Sequence, residues 1–300
     1  YAYMLLRGKD LKTGLIDKTV RDKNLTKFRN ALNLATNLNN WHAFLNLYGD
    51  AGYYNQSMIS SSNSVVFSYV LYMIGKYEYK VSSIELRKVM TKWIFMTSVT
   101  AFYSGSTETN VEKQMADLRN VHNDKEFVDY LNRIINETFT DDYFKYSLTS
   151  DLITSSTNSP AWNGYLAAIN VLGTPMLFSS TPASKYMLPG ASGTKNAIDK
   201  HHIFPKHYLE EIGFNDDRDR NQIANFTYID YQTNIDITDN PPSDYVDRYR
   251  KKLGEDTYLK TCADNALPIN FEKMEYLDFI NERRKLMSEI IKKAYIELSK

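Results

Sequence analysis

Residues 199–206 read Asp-Lys-His-His-Ile-Phe-Pro-Lys, and this octapeptide constrains the chain more than any other stretch. Three of the five histidines, His201, His202 and His207, fall within seven residues. On an extended segment side chains alternate, so Asp199 and His201 share one face while His202 points from the other. That spacing separates two jobs. One ring can ligate a metal ion while its neighbour takes a proton from water. Asp199 is placed to accept the second N–H of the His201 ring and fix its tautomer. Downstream, Asn225-Phe226-Thr227 and Thr233-Asn234-Ile235 complete a three-part pattern. His207 reads as a surface or packing residue. The mixed-sign run Asn215–Arg220 reads as a solvated loop rather than a second metal site.

The rest of the chain is punctuated as helices. Leu25, Phe28, Leu32 and Ala35 recur at helical spacing. The segment Val65–Ile74 is apolar nearly all round, which predicts a buried central helix capped at Asn63 or Ser64. Further helices are expected over Val81–Tyr103 (opening at Ser82 or Ser83), Val111–Val121, Asp124–Phe139 and Trp162–Leu172. Residues 189–196, Pro-Gly-Ala-Ser-Gly-Thr-Lys-Asn, read as a linker. After Pro241-Pro242, Ser243–Leu253 reads as a short basic helix. Phe271–Leu298 reads as a long amphipathic helix with Arg283-Arg284-Lys285 to one side. The expected fold is mainly α: a helical bundle over 1–188, a small ββα module over 189–260, and a C-terminal segment, 261–300, whose helix packs back on both.

Bulk composition narrows the function classes. The 36 basic and 36 acidic residues cancel, which excludes a protein that coats nucleic acid by charge alone. Residues 195–300 carry 17 basic against 20 acidic side chains, so any grip on nucleic acid there is local. The single cysteine, Cys262, excludes an internal disulfide or a multi-Cys zinc site and fits a reducing compartment. The longest apolar runs, Val65–Ile74 and Trp93–Tyr103, fall short of the roughly 20 residues a bilayer span needs. With no visible signal peptide, the expectation is a cytoplasmic protein without membrane contact. The chain opens at Tyr1, mid-pattern, and is expected to be a fragment of a longer one.

The octapeptide and its two Asn features resemble the site of HNH, or His-Me finger, nucleases. The Asp-x-His-His spacing is also similar to that of the colicin DNases. More broadly, the chain resembles the C-terminal portion of GmrSD-type restriction proteins, which are modification-dependent or phage-defence nucleases. The matching residues are Tyr103-Ser104-Gly105-Ser106, Pro160-Ala161-Trp162, Phe204-Pro205-Lys206, Ile223–Thr227, Thr233-Asn234 and the Phe279…Arg283-Arg284 helix. The resemblance implies that His202 is the general base and that His201 and Asn234 bind a divalent metal, Mg²⁺ or Mn²⁺. Asn225 then braces the loop that holds His202, from a turn between the strands and the helix. It implies a DNA endonuclease; a catalytically degenerate DNA-binding module and an RNase using the same site stay open. The nucleotide-dependent sensor half of that family, with its Gly-Gln-Gln-Arg-like motif, has no counterpart here, and is expected as a separate N-terminal domain.

Nucleic acid must then meet basic residues close to the metal. Lys195, Lys200 and Lys206 flank the motif, and Arg248, Arg250, Lys251 and Lys252 follow the Pro pair. On a helix, 248, 251 and 252 share a face and form a candidate phosphate clamp.

Overall fold

The computed structural model describes residues 13–16, 21–105, 107–188 and 199–300, the side chains of residues 21, 22 and 199 excepted. The expected linker 189–196, with Lys195, lies outside the described residues, as does the side chain of Asp199. The described chain is mainly helical, with one two-stranded antiparallel sheet. The α-helices of six or more residues are α1 (Arg21–Ala35), α2 (Leu38–Asp50), α3 (Ser62–Tyr77), α4 (Ser83–Val99), α5 (Thr107–Asp117), α6 (Asp124–Thr138) and α7 (Pro160–Val171). Strand β1 (Asp199–His202) follows, then α8 (Lys206–Glu211), β2 (Phe226–Ile229), α9 (Tyr231–Ile237), α10 (Pro242–Leu253), α11 (Glu255–Asp264) and α12 (Tyr276–Leu298).

The centre of the helical part is α4, not α3. Ser82 caps α4, accepting from the Glu85 N–H while its hydroxyl donates to the Glu85 carboxylate, and ten of its residues are buried. The apolar run in α3 does not produce a central helix: Val66 and Val70 are 50% and 36% exposed. The cap of α3 is Ser61, which accepts from the Ser64 N–H, rather than Asn63 or Ser64. Helix α7 starts with Pro160 in its first turn and Ser159 capping Trp162, and its ten residues from Ala161 to Asn170 are buried. Gly164 lets α7 approach α4, since a Cβ there would sit 2.8 Å from Val99 Cγ2.

Helix α12 lies against α7 and α4 and also against the turn before β2. Its inward stripe runs Tyr276, Phe279, Ile280, Arg283, Arg284, Met287, Ile291, Ala294. Arg283 and Arg284 are therefore buried, contrary to the expectation of a basic cluster at one side of the helix. Arg283 Nη1 donates to the Ala224 carbonyl (2.6 Å) and Arg284 Nη2 to Gln222 Oε1 (2.8 Å). Two guanidiniums thus tie the last helix to the segment that leads into β2. Burial lowers the pKa of both.

The hairpin rests on the helical part. Trp162 packs against Phe226 and Tyr228, at ring-centroid distances of 6.2 and 6.4 Å, and the Leu177 N–H donates to the Tyr228 carbonyl. A single buried core runs from α2 to α12, through Ile203 and Phe204 after β1 and Phe226 and Ile229 of β2, and across the boundaries expected near residues 189 and 261. Cys262 is buried within it. Among the described residues no helix is long and apolar enough to cross a membrane.

Candidate functional site

Strands β1 and β2 pair antiparallel with His201 opposite Thr227 and His202 opposite Phe226. Because the side-chain period is two, Lys200, His202, Phe226 and Tyr228 share the face towards Trp162, and His201 projects from the other. Asp230 caps α9, accepting from the Thr233 N–H at 2.8 Å. Helix α9 therefore starts two residues after β2 and packs across β1.

That placement brings His201 and Asn234 together. His201 Nδ1 lies 3.1 Å from Asn234 Oδ1. An amide oxygen only accepts, so Nδ1 carries the proton and Nε2 is a bare lone pair. Nε2 is buried with no hydrogen-bond partner among the described residues. His201 is only 8% exposed. Burial pulls its pKa down to about 4; the Asn234 bond and the Asp239 carboxylate oppose that shift, and His202 adds to it. The ring is neutral at pH 7, as a metal ligand must be.

The pair could hold a divalent cation only in the other neutral tautomer, with the ring proton on Nε2 and the Nδ1 lone pair free; two neighbouring ligands on an octahedral ion with bonds of about 2.1 Å would then stand roughly 3.0 Å apart, close to the 3.1 Å separation seen here. Among the described residues no group of three His, Cys, Asp or Glu side chains converges on this point. Water would complete the shell, as suits Mg²⁺ or Mn²⁺.

On the opposite face, His202 Nε2 lies 2.9 Å from Asn221 Oδ1, and its ring sits 4.6 Å from that of Phe226. Asn221 Nδ2 points at Asp217 Oδ1, 3.4 Å away. A carboxylate cannot donate, so this contact fixes the Asn221 amide with its oxygen towards His202. The His202 Nε2–H donates, and Nδ1 is left as the basic nitrogen. Burial lowers the His202 pKa; the Asn221 bond opposes that shift, while Lys206, Lys200 and Arg220 reinforce it. Sequence reasoning missed Asn221, which closes the charged run and carries no spacing signal. It missed Asp239 for the same reason.

Asn225 is fully buried in the turn between the two strands, immediately before β2 and not after the strands as expected. Its Oδ1 accepts from the Phe204 N–H (2.9 Å), and its Nδ2 donates to the carbonyls of Phe204 (2.9 Å) and Arg220 (3.1 Å). One amide thereby joins the backbone just after His202 to the backbone just before Asn221. The Ile203 N–H donates to the Asn225 carbonyl and Tyr245 Oη to the Ile203 carbonyl. The backbone on either side of Phe204 is locked.

The basic candidates divide. Lys200 lies 4.5 Å over the Phe226 ring on the His202 face. Lys206 pairs with Asp217 at 3.1 Å. Arg248, Lys251 and Lys252 are exposed on α10, and Arg248 Nη2 donates to the Asp236 carbonyl in α9. Arg250 is not part of that face; it turns towards Glu255 and Glu272. The 215–220 run is not a fully solvated loop. Asp216 caps a helical turn there, and buried Arg220 pairs with Glu210 and Asp217. His207 is exposed, 3.3 Å from Glu211. No protein-family model matches the chain, and no curated protein or solved structure matches it either.

Proposed function

We propose that the chain carries an HNH-type endonuclease module that hydrolyses DNA phosphodiester bonds with one divalent cation, Mg²⁺ or Mn²⁺. The observation that carries the reading is the meeting of His201 and Asn234, 33 residues apart in sequence, at 3.1 Å across β1 and α9. His202 stands on the other strand face with its own polar partner. His201 and Asn234 would hold the cation, which when bound polarises the phosphate and stabilises the leaving oxygen. His202 Nδ1, kept free of its proton by the Asn221 bond on Nε2, takes the proton from the attacking water. Asn225 holds the backbone after His202 so that its ring keeps one orientation. Asp199 behind His201, and phosphate contacts from Lys200, Lys206, Arg248, Lys251 and Lys252, belong to the same proposal. The likeness to GmrSD-type proteins supports a place in bacterial anti-phage restriction, with a nucleotide-dependent sensor domain as partner and the cytoplasm as its compartment.

A second reading rests on the same pair. His201 and Asn234 bond each other directly and His201 is buried, which also suits a closed structural pair in a DNA-binding module without catalysis. Plasmid nicking with Mg²⁺ or Mn²⁺, with and without EDTA and beside an RNA substrate, decides among these. Metal-dependent nicking of DNA alone is expected. RNA cleavage would replace the substrate, and no cleavage of either would favour the binding module.

A further inference from the structure

The face of the hairpin that carries His202 borders an open cleft of about 270 Å³. Its walls come from two distant parts of the chain. Lys200 and Phe226 come from the two strands, Arg218 and Asn221 from the connection between them, and Ser155 and Thr157 from the loop that precedes α7. That loop is pinned in place, because the Ile223 N–H donates to the Thr154 carbonyl at 2.9 Å. Two walls, Asn221 and Phe226, are also the neighbours of the His202 ring.

The cleft is cationic in a region that is not. Neither Lys200 nor Arg218 pairs with a carboxylate among the described residues. The one carboxylate in the wall, Asp217, is already engaged by Lys206 and Arg220, and Arg220 also pairs with Glu210. The lining itself thus carries two cations, Lys200 and Arg218, against one carboxylate that is already engaged. The surrounding residues 195–300 carry 17 basic and 20 acidic side chains. The hydroxyls of Ser155 and Thr157 can each donate to an anion oxygen. Unpaired cations beside hydroxyl donors, at the edge of a basic imidazole, make a seat for a phosphate group.

We infer that this cleft binds the backbone phosphodiester of DNA next to His202, with Arg218, Lys200, Ser155 and Thr157 as its anion ligands, so that the helical part supplies a wall of the nucleic-acid site. The inference rests on the nuclease reading for its choice of DNA. Its test is binding in EDTA, where no cleavage occurs, so failure of catalysis leaves it standing.

The experiment measures anisotropy of a labelled short DNA duplex with the whole chain over a range of salt. Arg218 is exposed, so Arg218→Ala should fold as wild type. It should weaken binding and reduce the slope of log K against log salt by about 0.9, one phosphate contact. Ser155→Glu places a negative charge in the cleft and should abolish measurable binding. Ser156→Glu, on the exposed neighbouring residue outside the cleft, should lower affinity by no more than a few-fold. An unchanged affinity and slope in Arg218→Ala would overturn the inference. So would equal losses in Ser155→Glu and Ser156→Glu, which would report bulk charge in place of a seat.

Discussion

Asn225→Ala tests how the candidate site is held. The amide makes three hydrogen bonds to backbone groups, all inside the protein: from the Phe204 N–H and to the Phe204 and Arg220 carbonyls. Each is worth about 1 kcal/mol net, and a buried backbone group left without a partner costs about 1–3 kcal/mol. Truncation should therefore remove at least about 3 kcal/mol. That is a large share of the roughly 5–15 kcal/mol that holds a domain together, yet compatible with a folded variant. Urea unfolding followed by intrinsic fluorescence reads the loss as a lower midpoint at unchanged slope. Asn225→Asp is the sharper control. It keeps the acceptor for the Phe204 N–H but sets carboxylate oxygens against two carbonyls, and should be at least as destabilised. A loss below about 1 kcal/mol in the alanine variant, or full stability in the aspartate variant, would refute the reasoning.

Three further outcomes follow from other parts of the molecule. The folded pKa of His201, about 4, lies below its ordinary 6.5, so between those values the unfolded chain binds the extra proton. In EDTA, stability should be complete above about pH 6.5 and fall as pH drops towards 4, by an order of 3 kcal/mol at about 1.36 kcal/mol per unit; His201→Gln should flatten that fall, and equal pH profiles would contradict it. Lys251→Glu with Lys252→Glu should weaken DNA binding about equally for all sequences and lower the salt slope by roughly one unit per lost phosphate contact; an unchanged slope places the DNA away from α10. Arg283→Ala leaves the Ala224 carbonyl unserved and should cost about 3 kcal/mol or more in urea unfolding, whereas Lys285→Ala, whose side chain is exposed beside Glu282, should change stability by no more than about 0.5 kcal/mol; similar losses in the two would undo the assignment of Arg283 to the core.

How far the sequence carried this reading depends on the kind of signal. Helix existence was legible because capping residues and 3.6-residue spacing are local: Ser82 starts α4 as its chemistry dictates, whereas α7, expected from Trp162, starts at Pro160 behind a Ser159 cap. Burial was less legible. The apolar run of α3 leaves Val66 and Val70 exposed, while two arginines lie inside. The stripe Ile280, Arg283, Arg284, Met287 does follow helical spacing, and weighting position over charge would have placed both guanidiniums inward. At the site, alternation along an extended strand is enough to separate His201 from His202. Asn221 was beyond reach, because its partner is set by a turn that Asn225 and Arg220 organise through long-range hydrogen bonds. Likewise, nothing local ties Ser155 and Thr157 to residues 200–226; only the tertiary fold brings that loop to the hairpin.

His201 and Asn234 are proposed to hold a divalent cation while His202 acts on water. Mn²⁺ binding by electron paramagnetic resonance, measured beside single-turnover DNA cleavage in wild type, His202→Ala and Asn234→Ala, tests it most directly. The account predicts that wild type binds and cleaves, that His202→Ala binds Mn²⁺ normally but cleaves about 10²–10⁴-fold more slowly, and that Asn234→Ala loses both. Mn²⁺ binding of equal strength in Asn234→Ala, or undiminished cleavage in His202→Ala, would contradict it.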